Sequence, residues 1–157
     1  MAIVLLLLCL LYQQGNAENQ LPVPALKLGI ERVGEYRAVF AGKRAGLITN
    51  QTGIDAHGTP SAQRLGKTAQ LTALFSPEHG IHGNAREGAS IGHGTDPQTG
   101  LRVYSLYGNT KRPTEEMLND IDVLCFDIQD VGARFYTYIS TMAYAMEACA
   151  RYHKQFV

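Results

Sequence analysis

The stretch Ser76-Pro77-Glu78-His79-Gly80-Ile81-His82-Gly83 carries the densest chemistry of the chain. Pro77 and the glycines dictate a sharp turn, which presents Glu78 at the edge of the element before it. A carboxyl held there and partly buried is a candidate general acid, and His79 beside it can orient or modulate that carboxyl. Two other readings fit the same residues. Glu78 can close a turn while His79 packs, or Glu78, His79, His82 and His93 can hold a zinc ion. The zinc reading lacks a His-Glu-x-x-His spacing, and His79 and His82 fall on a Gly-rich loop instead of one helix face. No resident metal or cofactor is expected.

A second polar group runs from Asp127 through Gln129, Asp130 and Arg134 to Tyr136 and Tyr138. Strand alternation puts Asp127 and Gln129 on one side, Ile128 and Asp130 on the other. Either aspartate can be the partner carboxylate of a glycosidase pair with Glu78, or serve as a helix cap and salt-bridge partner of Arg134. Arg134 has the planar fork that suits a substrate carboxylate. Tyr136 and Tyr138 can wall a sugar site or belong to the core. Asn50-Gln51-Thr52 fits a glycosylation sequon, but its place at a strand end reads as site or turn.

These groups need elements that bring them together. Apolar patterning predicts strands at Arg44–Thr49, Gln70–Phe75, Leu101–Tyr107 and Asp122–Ile128, with a fifth beginning at Gln155. Helices are predicted at Leu28–Phe40, at Pro60–Thr68 (Thr59 as cap, Pro60 at the first helical position), at Pro113–Asn119, and at Ser140–His153, the last burying Met142, Ala145, Met146 and Cys149. Residues 18–28 read as an extended arm. Strands alternating with helices mean an α/β fold, an open parallel sheet with helices on both faces, and near-continuous apolar runs such as Val123–Phe126 suit strands buried on both sides. In such sheets ligands bind beyond the carboxyl ends of the strands, where the polar groups above fall. Cys125 and Cys149 are expected as buried thiols, with a disulfide between them as the alternative in an oxidising compartment.

Composition narrows the function class. The 157 residues balance 14 Lys and Arg against 14 Asp and Glu, with 45% hydrophobic residues. That excludes a polybasic nucleic-acid binder and a chain too polar or charged to bury a core. Gly66-Lys67-Thr68 is not a phosphate loop, since Ser61 stands where the first glycine belongs. Neither Gly-x-Gly-x-x-Gly nor Gly-x-Ser-x-Gly occurs. Residues 1–17 lack any charged side chain, and Ile3–Leu11 is about half the ~20 residues that a spanning helix needs. With Gly15-Asn16-Ala17 after it, this is the pattern of a cleaved signal peptide, implying export to a periplasmic or extracellular space and no stable membrane span afterwards.

Three ordered motifs resemble the exo-β-N-acetylmuramidase family of the NamZ type, also called YbbC-like. They are Gly46–Gly53, Leu74–Gly80 and Asp127–Tyr138, supported by Val103–Gly108 and Arg112-Pro113-Thr114. The resemblance implies release of terminal N-acetylmuramic acid from peptidoglycan fragments, with muramyl sugars as the partners. It implies a Rossmann-like catalytic domain followed by a smaller C-terminal domain. It implies Glu78 as the catalytic carboxylate, His79 next to it in the pocket, and Asn50 and the Asp127–Tyr138 segment lining the same cleft. Family members run twice as far or more, so residues 18–157 are expected to be the front part of the catalytic domain, cut before its last strands. With an unpaired sheet edge, these residues alone are expected to be unstable or inactive. The alternatives are a non-catalytic muramyl-sugar-binding protein and a metal-dependent hydrolase using His79, His82 and His93.

Overall fold

The computed structural model describes residues 26–84, 86 and 93–157. The expected leader at residues 1–17 and the first part of the expected extended arm lie outside the described residues. A 3-10 helix, Gly29–Tyr36, leads into α1 (Arg37–Phe40), followed by β1 (Arg44–Thr49), α2 (Ser61–Gly66) and β2 (Gln70–Ser76). Then come β3 (Gly94–Thr95), β4 (Arg102–Ser105), α3 (Glu115–Leu118), β5 (Val123–Asp127), α4 (Tyr138–Arg151) and β6 (Gln155–Phe156). The sheet order is β3-β4-β2-β1-β5-β6. Every neighbouring pair is parallel except β3 with β4.

Strand alternation divides the core into two layers. Ile48, Phe75 and Leu124 pack with Met117 and Leu118 of α3 and with Ala145, Ala148 and Cys149 of α4. On the other face Leu47, Leu74, Val123 and Cys125 pack with Ile30, Phe40 and Leu65. Parallel strands need such crossovers, and the helices cover both faces, as the patterning predicts. Cys125 and Cys149 are free thiols in opposite layers. Burial first, and the Asp127 charge second, push the Cys125 thiol up to about 12, while burial pushes Cys149 up to about 11. Both are inert near neutral pH.

The structure corrects several local expectations. The Leu28–Phe40 segment is mostly 3-10 helix, the tighter form used in short pieces. Thr59 does not cap α2. Its N–H donates to Asp55 Oδ1 and its carbonyl accepts from Asp55 N, so it belongs to a turn, and Pro60 precedes the helix as its cap. Helix α4 starts at Tyr138, and its buried stripe is Tyr138, Thr141, Ala145, Ala148 and Cys149. Met146 is 50% exposed. The smaller Ala148 faces inward and lets the helix approach the sheet. Strand β3 has only two residues, too few for a periodic signal.

Two contacts hold the centre. Gly46 in β1 has no side chain because a Cβ would lie 2.6 Å from Ile121 Cδ1 and 2.9 Å from Phe75 Cε2. At the start of the same strand Asp122 accepts from Arg44 N at 2.8 Å and Arg44 Nε at 3.1 Å on Oδ2, and from Arg44 Nη2 at 3.0 Å on Oδ1. The Arg44 guanidinium and N–H hold the Asp122 carboxyl down at about 2.

Gly46→Val is expected to lower the unfolding free energy by about 1–3 kcal/mol through overpacking, read by urea denaturation. Because the folded pKa of Asp122 is depressed, its contribution is fully present above about pH 4, the unfolded value, and is lost as pH falls toward about 2. Asp122→Asn is expected to lose less thermal stability than the parent over that window, read as the change in Tm.

Candidate active site

The chain leaves β1 for β2 and β4 on one flank, then crosses to β5 and β6 on the other. The carboxyl ends of β1 and β5 therefore form a topological switch point, the place where open α/β sheets bind ligands. The end of β2 stands next to it.

Glu78 follows β2 by two residues. Pro77 is fully buried, and Gly80 N donates to Pro77 O at 3.2 Å to close the turn. His79 at φ +70° and Gly80 at φ +82° are both left-handed. For a residue with a side chain this costs about 1–3 kcal/mol and is a mark of functional sites. The turn delivers a half-buried Glu78 whose Oε2 accepts from Thr137 Oγ1 at 2.8 Å. Thr137 precedes α4, yet its hydroxyl makes no cap bond to that helix; it is given to the carboxylate.

At the end of β1, Asn50 is 4% exposed. Its Oδ1 accepts from Thr52 N at 2.9 Å and Thr52 Oγ1 at 2.6 Å. Thr52 Oγ1 in turn accepts from Gln129 N at 2.9 Å, joining the β1 and β5 loops. Asn50 Nδ2 is buried, with no hydrogen bond drawn to it among the described residues, and the Asn50 amide faces the Tyr138 phenol. Burial raises the Tyr138 pKa, the Asn50 amide opposes that, and the Glu78 charge adds to it. Glu78, Asn50, Tyr138 and Thr137 thus share one cluster.

The remaining candidates divide. Asp127 closes β5, where Thr49 Oγ1 donates to its carbonyl at 2.9 Å and the Ser61 hydroxyl donates to its carboxylate. That carboxylate therefore meets a side-chain hydroxyl in the first turn of α2, not a helix backbone N–H. Asp130 accepts from Gly132 N at 2.6 Å and makes a local turn. Gln129 contributes its backbone N–H to Thr52, and its side chain is exposed. Arg134 is exposed and in no salt bridge among the described residues. Tyr136 stands half-open with its ring 6.3 Å from that of Tyr138, and Phe135 is 92% exposed.

The three histidines do not converge. His82 Nε2 pairs with Asp96 Oδ1 at 2.9 Å, and His93 Nδ1 accepts from Ser105 N at 3.2 Å. No three His, Cys, Asp or Glu side chains stand together as metal ligands among the described residues. Asp96 is held ionised against its burial by the Thr99 hydroxyl and by His82. Sequence reasoning placed Thr52 in a strand-end site or turn and Thr137 inside the Asp127–Tyr138 segment, but assigned a partner or a role to neither. Thr52 had a local signal, since Asn followed two residues later by Thr is the pattern of an Asx turn. Thr137 had none, because its partner lies 59 positions away.

Known proteins match this chain in sequence and fold. The family model described as "Exo-beta-N-acetylmuramidase NamZ, N-terminal" covers residues 45–157. The peptidoglycan beta-N-acetylmuramidase NamZ of Bacillus subtilis (strain 168) is 52% identical over 128 residues, 80% of this chain and 31% of that protein. Crystal structures of two DUF1343 family proteins from Bacteroides fragilis NCTC 9343 share the fold. One has a TM-score of 0.75 at 48% identity over 86% of this chain and 34% of its own. The other has a TM-score of 0.67 at 34% identity over 83% of this chain and 33% of its own. The chain spans about a third of the length of these relatives. With its switch-point site and its match running from Ala45 to Val157, the chain belongs to the NamZ exo-β-N-acetylmuramidase family, whose N-terminal region it carries.

Proposed function

We propose that the protein is an exo-acting glycoside hydrolase that releases terminal N-acetylmuramic acid from peptidoglycan fragments. The observation that carries this reading is Glu78. It is a carboxyl on a strained Pro-Glu-His-Gly turn at the carboxyl end of a central strand, oriented by Thr137, inside the family match. The relative in Bacillus subtilis, a peptidoglycan beta-N-acetylmuramidase, supports the substrate class.

In this reading Glu78 protonates the leaving glycosidic oxygen as the bond to the anomeric carbon breaks, and water supplies the new hydroxyl. His79 borders the acid in the pocket. Asn50 and Tyr138 line the cleft floor, and Asp127, Gln129, Asp130 and Tyr136 belong to its β5 side. Arg134 meets the lactyl carboxylate of the muramyl sugar, supported by its exposure and its planar fork. Residues 18–157 are the N-terminal part of a Rossmann-like catalytic domain, with the rest of that domain and a smaller one following in the whole protein. Residues 1–17 act as a signal peptide that sends the protein to the periplasm or the cell exterior.

Glu78→Gln in the full-length protein is expected to slow release of N-acetylmuramic acid from a chromogenic muramide by about 10²–10⁴-fold. Unchanged turnover would sink the assignment. Thr137→Val is expected to lower kcat roughly tenfold, through loss of one charge-assisted hydrogen bond, while Thr137→Ser keeps most of it. Equal rates for Val and Ser would remove Thr137 from the site.

A further inference from the structure

Three aromatic side chains step outward from the acid. Tyr138 is 7% exposed, and the Glu78 charge reaches its phenol. The Tyr138 ring stands 6.3 Å from that of Tyr136, which is 48% exposed. Phe135, next in the chain, is 92% exposed. Between Tyr136 and Tyr138 stands Thr137, whose hydroxyl holds the Glu78 carboxylate at 2.8 Å.

The fold does not use the Phe135 ring, which belongs to neither core layer. Its backbone is nevertheless fixed. Asp130 Oδ1 accepts from Gly132 N at 2.6 Å, Gly132 takes φ +72°, and Tyr136 N donates to Ala133 O at 3.0 Å. Arg134 and Phe135 therefore form the corner of a closed turn, and the ring is held out into solvent beside a polar site. Exposed apolar surface rimmed by polar groups marks a contact surface.

Position selects what makes that contact. A general acid stands about 2.6–3.2 Å from the oxygen that it protonates, so the leaving oxygen and Thr137 flank one carboxylate. Phe135 lies two residues from Thr137, at most about 7 Å along the chain, a gap that one pyranose ring spans. The leaving sugar also carries the remainder of the fragment, so its seat must stay open to solvent, as the Phe135 turn does. A pyranose with equatorial substituents presents axial C–H groups on both faces. These meet the negative face of an aromatic ring, while the hydroxyls stay at the edge in water.

We propose that Phe135, with Tyr136 at its inner edge, is an aromatic platform for the leaving sugar of the peptidoglycan fragment. The terminal sugar takes the buried groups around Glu78, and the next sugar stacks on the exposed ring. The proposal rests on the glycosidase reading and extends it to the second sugar.

Two substrates of the full-length protein separate the platform from the acid. One is the disaccharide of N-acetylmuramic acid β-1,4-linked to N-acetylglucosamine, and the other is the methyl β-glycoside of N-acetylmuramic acid, which has no second sugar. Phe135→Ala is expected to lower kcat/KM on the disaccharide about tenfold more than on the methyl glycoside. Phe135→Tyr is expected to restore the difference, and Phe135→Leu, apolar but without a ring face, is not. The thermal midpoint is expected to stay within a degree or so of the parent's in all three, since the ring is exposed. Equal losses on the two substrates, no loss on either, or a leucine as good as a tyrosine overturns the platform. So does a fall of several degrees in the midpoint of Phe135→Ala, which would place the ring against the rest of the protein. Turnover by the parent in any of those cases leaves the hydrolase reading standing. A parent that turns over neither substrate overturns both.

Discussion

The pairing of β1 with β5 at their carboxyl ends is the constraint on which the site depends. The register runs from Ala45 opposite Val123 to Thr49 opposite Asp127. Thr49 then clamps the Asp127 carbonyl with its hydroxyl, and Ser61 brings the start of α2 onto the Asp127 carboxylate. The seam closes because Gly53 has no side chain. A Cβ there would lie 2.1 Å from Thr49 Oγ1 and 2.8 Å from Asp127 O. Asn50 leaves this seam on one side and Gln129 on the other, so the bond from Gln129 N to Thr52 follows from the register and not from local preference.

The second element of the site reaches the seam from β2. Two consecutive left-handed residues, His79 and Gly80, turn the chain sharply after Pro77. Strain at His79 persists only if its surroundings over-determine it. A buried Pro77 on one side and the Thr137 bond to Glu78 on the other do so. Further along, Gly83 at φ +67° lets the loop close onto Gln51, whose Cδ would stand 2.4 Å from any Cβ added there. The loop after the acid is thus packed against the loop after β1, which makes the cleft one packed unit and not three separate strand ends.

The legible part of the fold is the part written in local period. The runs Ala45–Ile48 and Val123–Phe126 read as strands because every residue is apolar and both faces are buried. The extent of α4 was harder to read. Its inward stripe uses Ala145, Ala148 and Cys149, while the larger Met146 points to solvent. A hydrophobicity pattern ranks the methionine as core, but space against the sheet selects the smaller residues. Strand β3 owes its existence to pairing with β4 and has no pattern of its own.

The same division holds at the site. Sequence alone determined that Glu78 would stand on a sharp turn after a strand and that the polar groups would gather at the carboxyl ends, since turn chemistry and strand direction are local properties. It also carried three ordered motifs specific enough to mark the family. Tertiary structure alone decided which partners those groups have. It gave Thr137 to Glu78 and Ser61 to Asp127, kept His82 with Asp96, and set the Asn50 amide against the Tyr138 phenol. A hydrogen bond depends on distances of a few tenths of an ångström between residues 59 and 66 positions apart. Strand order and register set those distances, and no spacing along the chain contains them.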